Sequence, residues 1–147
     1  MATANLGDII TIPYSDSKNA LAQIVWISTL IKNGMGLIIF SADFKKEDYV
    51  STLKALSINI PVGKITTIYA DVSNVNDEVW PILGNSEITH VERYITHNIG
   101  GDLYIGDNFL RHLKPEEYEN YQKFLYCGDK AVEIYLKVFL EQNGVVE

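Results

Sequence analysis

Short apolar and β-branched runs, each closed by glycine, proline or asparagine, fill the first two-thirds of the chain, and a helical apolar stripe follows only near residue 130. This change of period from two to 3.6 restricts the fold more than any other feature. Gly7-Asp8 opens Ile9-Ile10-Thr11-Ile12, and Pro13, which has no ladder donor, closes it. Ser15 to Asn19 supplies a turn, and Ala20 to Leu30, partly alternating and rich in β-branched residues, is the expected return strand of a hairpin. Asn33-Gly34 and Gly36 mark the next turn, before Leu37-Ile38-Ile39-Phe40. A three-stranded antiparallel meander is the expected start of the fold.

Tyr49, Val50, Leu53 and Leu56 share one helical face, so a helix is expected over Lys45 to Leu56. Strand character returns at Lys64 to Ala70, and Asp71 to Asp77 reads as a polar loop. Val79 to Leu83 reads as a short strand, placed at an edge by Pro81. From Thr89 to His97 the alternation sets Val91 and Ile95 against His90, Glu92 and Tyr94, as in a half-buried strand, and Leu103-Tyr104-Ile105 is the last strand expected.

Helical signals then take over. Pro115 with Glu116 and Glu117 suits a first helical turn, where a preset φ and acidic side chains are both favourable. Asp129 is a suitable N-cap for Lys130 to Gln142, whose stripe is Val132, Tyr135, Leu136, Phe139 and Leu140, with Asn143-Gly144 as the C-cap. The order predicts an α+β fold: a strongly bent antiparallel sheet or small barrel followed by C-terminal helices. The 147 residues suit a single domain over 1–147, β-rich across 7–106 and helical across 114–143.

No apolar run is long enough to cross a bilayer, and Met1 to Asn5 lacks the layout of a signal peptide. With a single cysteine, Cys127, the expected compartment is the cytoplasm. The net charge of −7 is unevenly spread. Residues 1–60 balance, whereas residues 61–110 carry seven acids against Lys64 and Arg93. Between those two cations stand Asp71, Asp77, Glu78, Glu87 and Glu92 with no base among them. Such a surface repels phosphate backbones and anionic membranes, so neither direct nucleic-acid binding nor membrane binding is expected.

The candidate chemistry is thin. Gly101 to Gly106 has phosphate-loop spacing, but Asp107-Asn108 stands where Lys and Ser or Thr are needed, so the glycines read as turns. Cys127 has no activating base at a family spacing and reads as a buried apolar residue. His90 and Glu92 supply two metal ligands at most, with His97 too remote in sequence. Asp77 with Glu78, Asp43 with Asp48 and Asp102 with Asp107 are carboxylate pairs of the kind that 19 acids produce by chance. No enzyme activity, cofactor or metal is expected. Trp26 belongs to the most apolar strand and reads as core; Trp80, beside Pro81, reads as core or as an interface aromatic.

Three stretches together resemble the immunity protein twenty-six family of bacterial polymorphic toxin systems. Gly7-Asp8-Ile9-Ile10-Thr11-Ile12-Pro13, followed by Ala20 to Val25, is similar to that family's N-terminal pattern, with Ala22-Gln23 where Gly and Arg are usual. Glu78 to Asn85 is similar to its Trp, apolar and Gly stretch. Tyr118 to Tyr126 and Gly128 to Glu133 resemble its Tyr-Gly turn into a helix, with Cys127 intervening. The resemblance implies a cytoplasmic antidote that binds and neutralises a cognate protein toxin, and that toxin is basic in the simplest electrostatic case. On that model charge clustering selects Asp71, Asp77, Glu78, Glu87 and Glu92, with Trp80 and Tyr94 as aromatic anchors. Two alternatives stand beside it: a small-barrel module for a ligand or an unrelated protein, and a carboxylate-dependent hydrolase.

Overall fold

The computed structural model describes residues 2–14, 17–45, 54–60, 63–125 and 128–142. Its main layer is built from the expected meander: β1 (Asp8–Tyr14), β2 (Lys18–Ile27) and β3 (Gly34–Ser41). β1 and β2 pair from Ile9↔Gln23 to Tyr14↔Lys18, and β2 pairs antiparallel with β3. A small hairpin of β4 (Ile58–Ile60) and β5 (Gly63–Ile65) leads to β6 (Thr67–Asp71), which joins the outer side of β3. One turn of helix, α1 (Ser73–Asn76), precedes β7 (Ile82–Asn85), and β7 pairs antiparallel with β1. The sheet order is therefore β6-β3-β2-β1-β7, with an edge at each end.

A short helix, α2 (Val91–Ile95), opens the second layer, made of β8 (Thr96–Ile99), β9 (Asp102–Ile105) and β10 (Asn108–His112). Gly100 and Gly101, at φ 62° and 94°, make the two-residue turn between β8 and β9, a conformation that costs other residues dearly. A 3₁₀ turn over Pro115–Asn120 leads to β11 (Gln122–Lys123), which lies parallel to β8. The last described element is α3 (Asp129–Gln142).

Successive residues of a strand face opposite sides, and β6 shows what each side meets. Ile68 and Ala70 join one apolar cluster with Ile10, Ile12, Ile24, Leu37 and Ile39, closed by Val75, Trp80 and the α3 residues Val132, Leu136 and Phe139. Thr67 and Tyr69 face the other way: the Thr67 hydroxyl donates to Tyr94 O (2.7 Å), and Tyr69 packs with Trp26, His97 and Phe124. Thus α1 and α3 cover one face of the main sheet, and α2 with the second sheet covers the other.

The molecule is α+β, an antiparallel sheet followed by a C-terminal helix, and the sheet is open, so the barrel alternative is not adopted. Other expectations shift. The strand expected over Thr89 to His97 is α2 followed by β8, because Val91 and Ile95, four apart, share a face at either period. The strand over Lys64 to Ala70 breaks at Thr66, where the Gln122 side chain takes the Thr66 and Thr67 N–H groups, both at 3.0 Å. Asp71 to Asp77 contains α1, and the strand near Pro81 begins only at Ile82. β9 is not the last strand, since β10 and β11 follow. Pro115 opens a 3₁₀ turn instead of an α-helix, and α3 begins at Asp129 itself. The helix expected from Lys45 lies outside the described residues over 46–53, and the described residues 54–57 are not helical. Asn143-Gly144, Asp48 and Cys127 also lie outside the described residues.

Candidate functional site

The acidic stretch is distributed, not gathered. Asp71 is half-buried and accepts the Ser73 N–H at 2.8 Å, which ties down the entry to α1. Asp77 and Glu78 leave α1 fully on the surface, Glu78 at φ 61°. Glu87 is exposed just beyond β7, and Glu92 is exposed on α2. Since α1 and α2 lie over opposite faces of the main sheet, Asp77 and Glu78 occupy one side, Glu92 the other, and Glu87 lies along the β7 edge between them. Tyr94 is half-buried on α2, its carbonyl engaged by Thr67. Trp80 is only 4% exposed and belongs to the core cluster, so of the two readings open to it the core one holds, and its ring is not available to a partner. His90 is a left-handed residue at the start of α2, so it and Glu92 do not share a strand face. Among the described residues no group of three or more potential ligands could hold a metal ion.

The β7 edge is firmly built. Gln23 Nε2 donates to Ser86 O (2.9 Å), and Asn85 Nδ2 donates to Leu6 O and Asp8 Oδ1, both at 3.0 Å. Gly7, at φ 88°, lets the chain pass so close that a Cβ there would meet Ser86 O at 2.6 Å. Outside these clamps Leu6, Val79 and Leu83 stay more than half exposed.

A second feature had no counterpart in the charge pattern. A groove of about 590 Å³ runs between β5, β6, the 3₁₀ turn, β11 and α3, walled by Ile65, Tyr69, Tyr118, Tyr121, Leu125 and Tyr135. Its volume is in the range of small-molecule sites. Lys64 and Lys123 lie on it with Glu119, so its charge opposes that of the acidic stretch. The density of tyrosine between 118 and 126 was the available signal, but periodicity cannot show that β6 lies opposite.

Between the two sheets sits a buried polar link. Tyr69 donates from its hydroxyl to His97 Nδ1 (3.1 Å), and His97 Nε2–H donates to Gly106 O (2.9 Å), the neutral tautomer that satisfies both neighbours. Burial holds the imidazole below its ordinary pKa, against the opposing pull of Gly106 O and Asp107, and burial pushes the Tyr69 phenol far up. Burial also acts to raise the Asp107 carboxyl, but bonds from Ser28 Oγ (2.6 Å), Thr29 N and Thr29 Oγ1 outweigh it and leave the group below its usual value. The Trp26 indole N–H also favours the charged form of this carboxylate, although it makes no well-formed hydrogen bond. Asp102 is held by His112 (2.6 Å) and Asp43 by Lys18 (3.7 Å), so Asp102 and Asp107, read as a pair from the sequence, are engaged separately, and Asp43's expected mate Asp48 lies outside the described residues.

No family model, curated protein or solved structure matches the chain.

Proposed function

We propose that this chain is an antidote of the immunity-protein type, which binds a basic protein toxin in the cytoplasm and holds it inactive. The observation that supports the reading best is the exposure of Asp77, Glu78, Glu87 and Glu92 within a stretch that contains no Lys or Arg between residues 64 and 93. Among the described residues no cation pairs with Asp77, Glu87 or Glu92. Charges left open in this way raise the rate of encounter with an oppositely charged protein, and apolar contact then sets how long the complex lasts.

The test is co-expression with the protein encoded immediately upstream. Restored growth together with a stoichiometric complex on size exclusion supports the antidote; a harmless upstream product that forms no complex removes it. The tyrosine-walled groove favours a second reading, a binding module for a small apolar or aromatic ligand. Tyr118→Ala with Tyr121→Ala separates the two, since an antidote acting through its acidic side keeps protecting cells when the groove is emptied. A hydrolase finds less support, because Asp102 and Asp107 have separate partners and Asp77 and Glu78 stand exposed on the surface.

A further inference from the structure

Among the described residues, only the inner side of β7 is paired. The Thr11 N–H to Pro81 O bond (3.0 Å) extends that pairing back to Pro81, while the chain bends at Val79 and Trp80, where the Trp80 N–H donates to Asn74 O (2.9 Å), so the edge strand itself is Ile82–Asn85. From Val79 to Leu83, Trp80 and Ile82 turn to the core, while Val79, Pro81 and Leu83 face outward, the two aliphatic residues each 55% exposed. Leu6 is held beside the same edge through Asn85. Exposed acids flank it, Asp77 and Glu78 before and Glu87 after.

An open sheet edge offers a row of backbone donors and acceptors to another strand. We propose that a partner docks here by strand addition, laying an extended segment that alternates Lys or Arg with apolar residues along Ile82–Asn85. The charge chooses the occupant. A second copy of this chain would set Asp77, Glu78 and Glu87 against their own counterparts, whereas a basic strand neutralises them while its apolar residues cover Val79 and Leu83. Pro81 and the bulge opposite Ile9 and Ile10 keep the edge short, which discourages open-ended stacking and still leaves four residues for pairing. The proposal deepens the antidote reading and rests on it for the identity of the natural partner.

The test uses a synthetic peptide of alternating lysine and valine, titrated at low salt into the full chain and followed by amide chemical shifts and hydrogen exchange. Perturbation and new protection are expected at Ile82 to Asn85 and Leu6. Leu83→Lys and Glu87→Lys, each checked for an unchanged thermal midpoint, should each weaken binding about tenfold, near 1.4 kcal/mol. A peptide of the same charge with a central proline should lose the protection. The proposal is overturned if the proline peptide binds equally well, if the shifts spread over Glu116, Glu133 and Glu141, or if they centre on the tyrosine groove. The peptide needs no natural partner, so loss of the antidote reading leaves this result standing. Conversely, a Leu83→Lys chain that still neutralises the upstream toxin sinks strand addition and spares the antidote.

Discussion

At the scale of single residues, His97 carries the sharpest consequence. Its ring is neutral, buried and bonded at both nitrogens, and burial keeps its folded pKa below the ordinary value. In the unfolded chain the same histidine takes up a proton near pH ~6.5. The unfolded state therefore binds more protons just below that pH, and the associated stability is present above it and lost as pH falls. Urea midpoints should drop between pH 7.5 and pH 5, and His97→Phe should flatten that fall; an equally steep fall in the variant would contradict the assignment. Tyr69→Phe removes the donor to Nδ1 and is expected to cost about 1–3 kcal/mol by chemical denaturation. None of this was legible in the sequence, where His97 stood only as a distant third ligand. A histidine becomes a core residue through the strands that close around it, and neither spacing nor composition records that event. Trp26, by contrast, was legible, because its own strand is apolar enough to require burial.

Among elements, legibility follows how much of the signal is local. α3 declared itself through a stripe, and Val132, Leu136, Phe139 and Leu140 are all buried. Phe139→Ala should destabilise the protein by roughly 3–5 kcal/mol, measured as a shift in the denaturant midpoint. The β1–β2 hairpin and the strand after it were legible for the same reason. β10 was not, since all five of its residues are exposed and no alternation marks it. β11 is two residues long, and its hydrogen bonds to the β5–β6 segment come from one side chain: Gln122 accepts from Thr66 N and Thr67 N and donates to Thr67 O, while Phe124 just beyond it packs on Trp26 and Tyr69. Gln122→Ala should cost about 1–3 kcal/mol and speed hydrogen exchange at the Thr66 and Thr67 amides. Unchanged exchange there would show that β11 is held by other means. The exposed Arg111–Glu117 pair, which with the Lys114 N–H draws the carboxyl down to about 2, belongs to the opposite class, where either partner can be removed with little effect on stability.

For the whole molecule, the charge excess was legible and its geometry was not. The sequence places five acids in one stretch; the fold sends that stretch around an edge, with Asp77 and Glu78 over one face and Glu92 over the other. Asp77, Glu78 and Glu87 therefore add their fields along the β7 margin, whereas Glu92 stands apart on α2, whose Tyr94 carbonyl is bonded to Thr67 of β6 at the other edge of the sheet. Reversing Asp77, Glu78, Glu87 and Glu92 to Lys should slow association with a basic partner by tenfold or more at low salt and flatten its salt dependence, with dissociation much less affected. Stopped-flow rates across ionic strength decide this, and rates unchanged in both respects would remove steering from the account. Pairing of β7 with β1 was also hidden from local reading, because it joins Asp8 to Asn85 across most of the chain.

The same wiring sets a schedule on the ribosome. β1 waits for β7 before its outer side is paired, and the apolar face it shares with β2 and β3 stays bare until Val132, Leu136 and Phe139 have left the exit tunnel. A nascent chain of this kind gains nothing from an early, self-sufficient half, since its long-range contacts form only when late segments arrive. Closure of this core is therefore timed by the synthesis of α3 and not by that of the strands it covers, however early those strands appear.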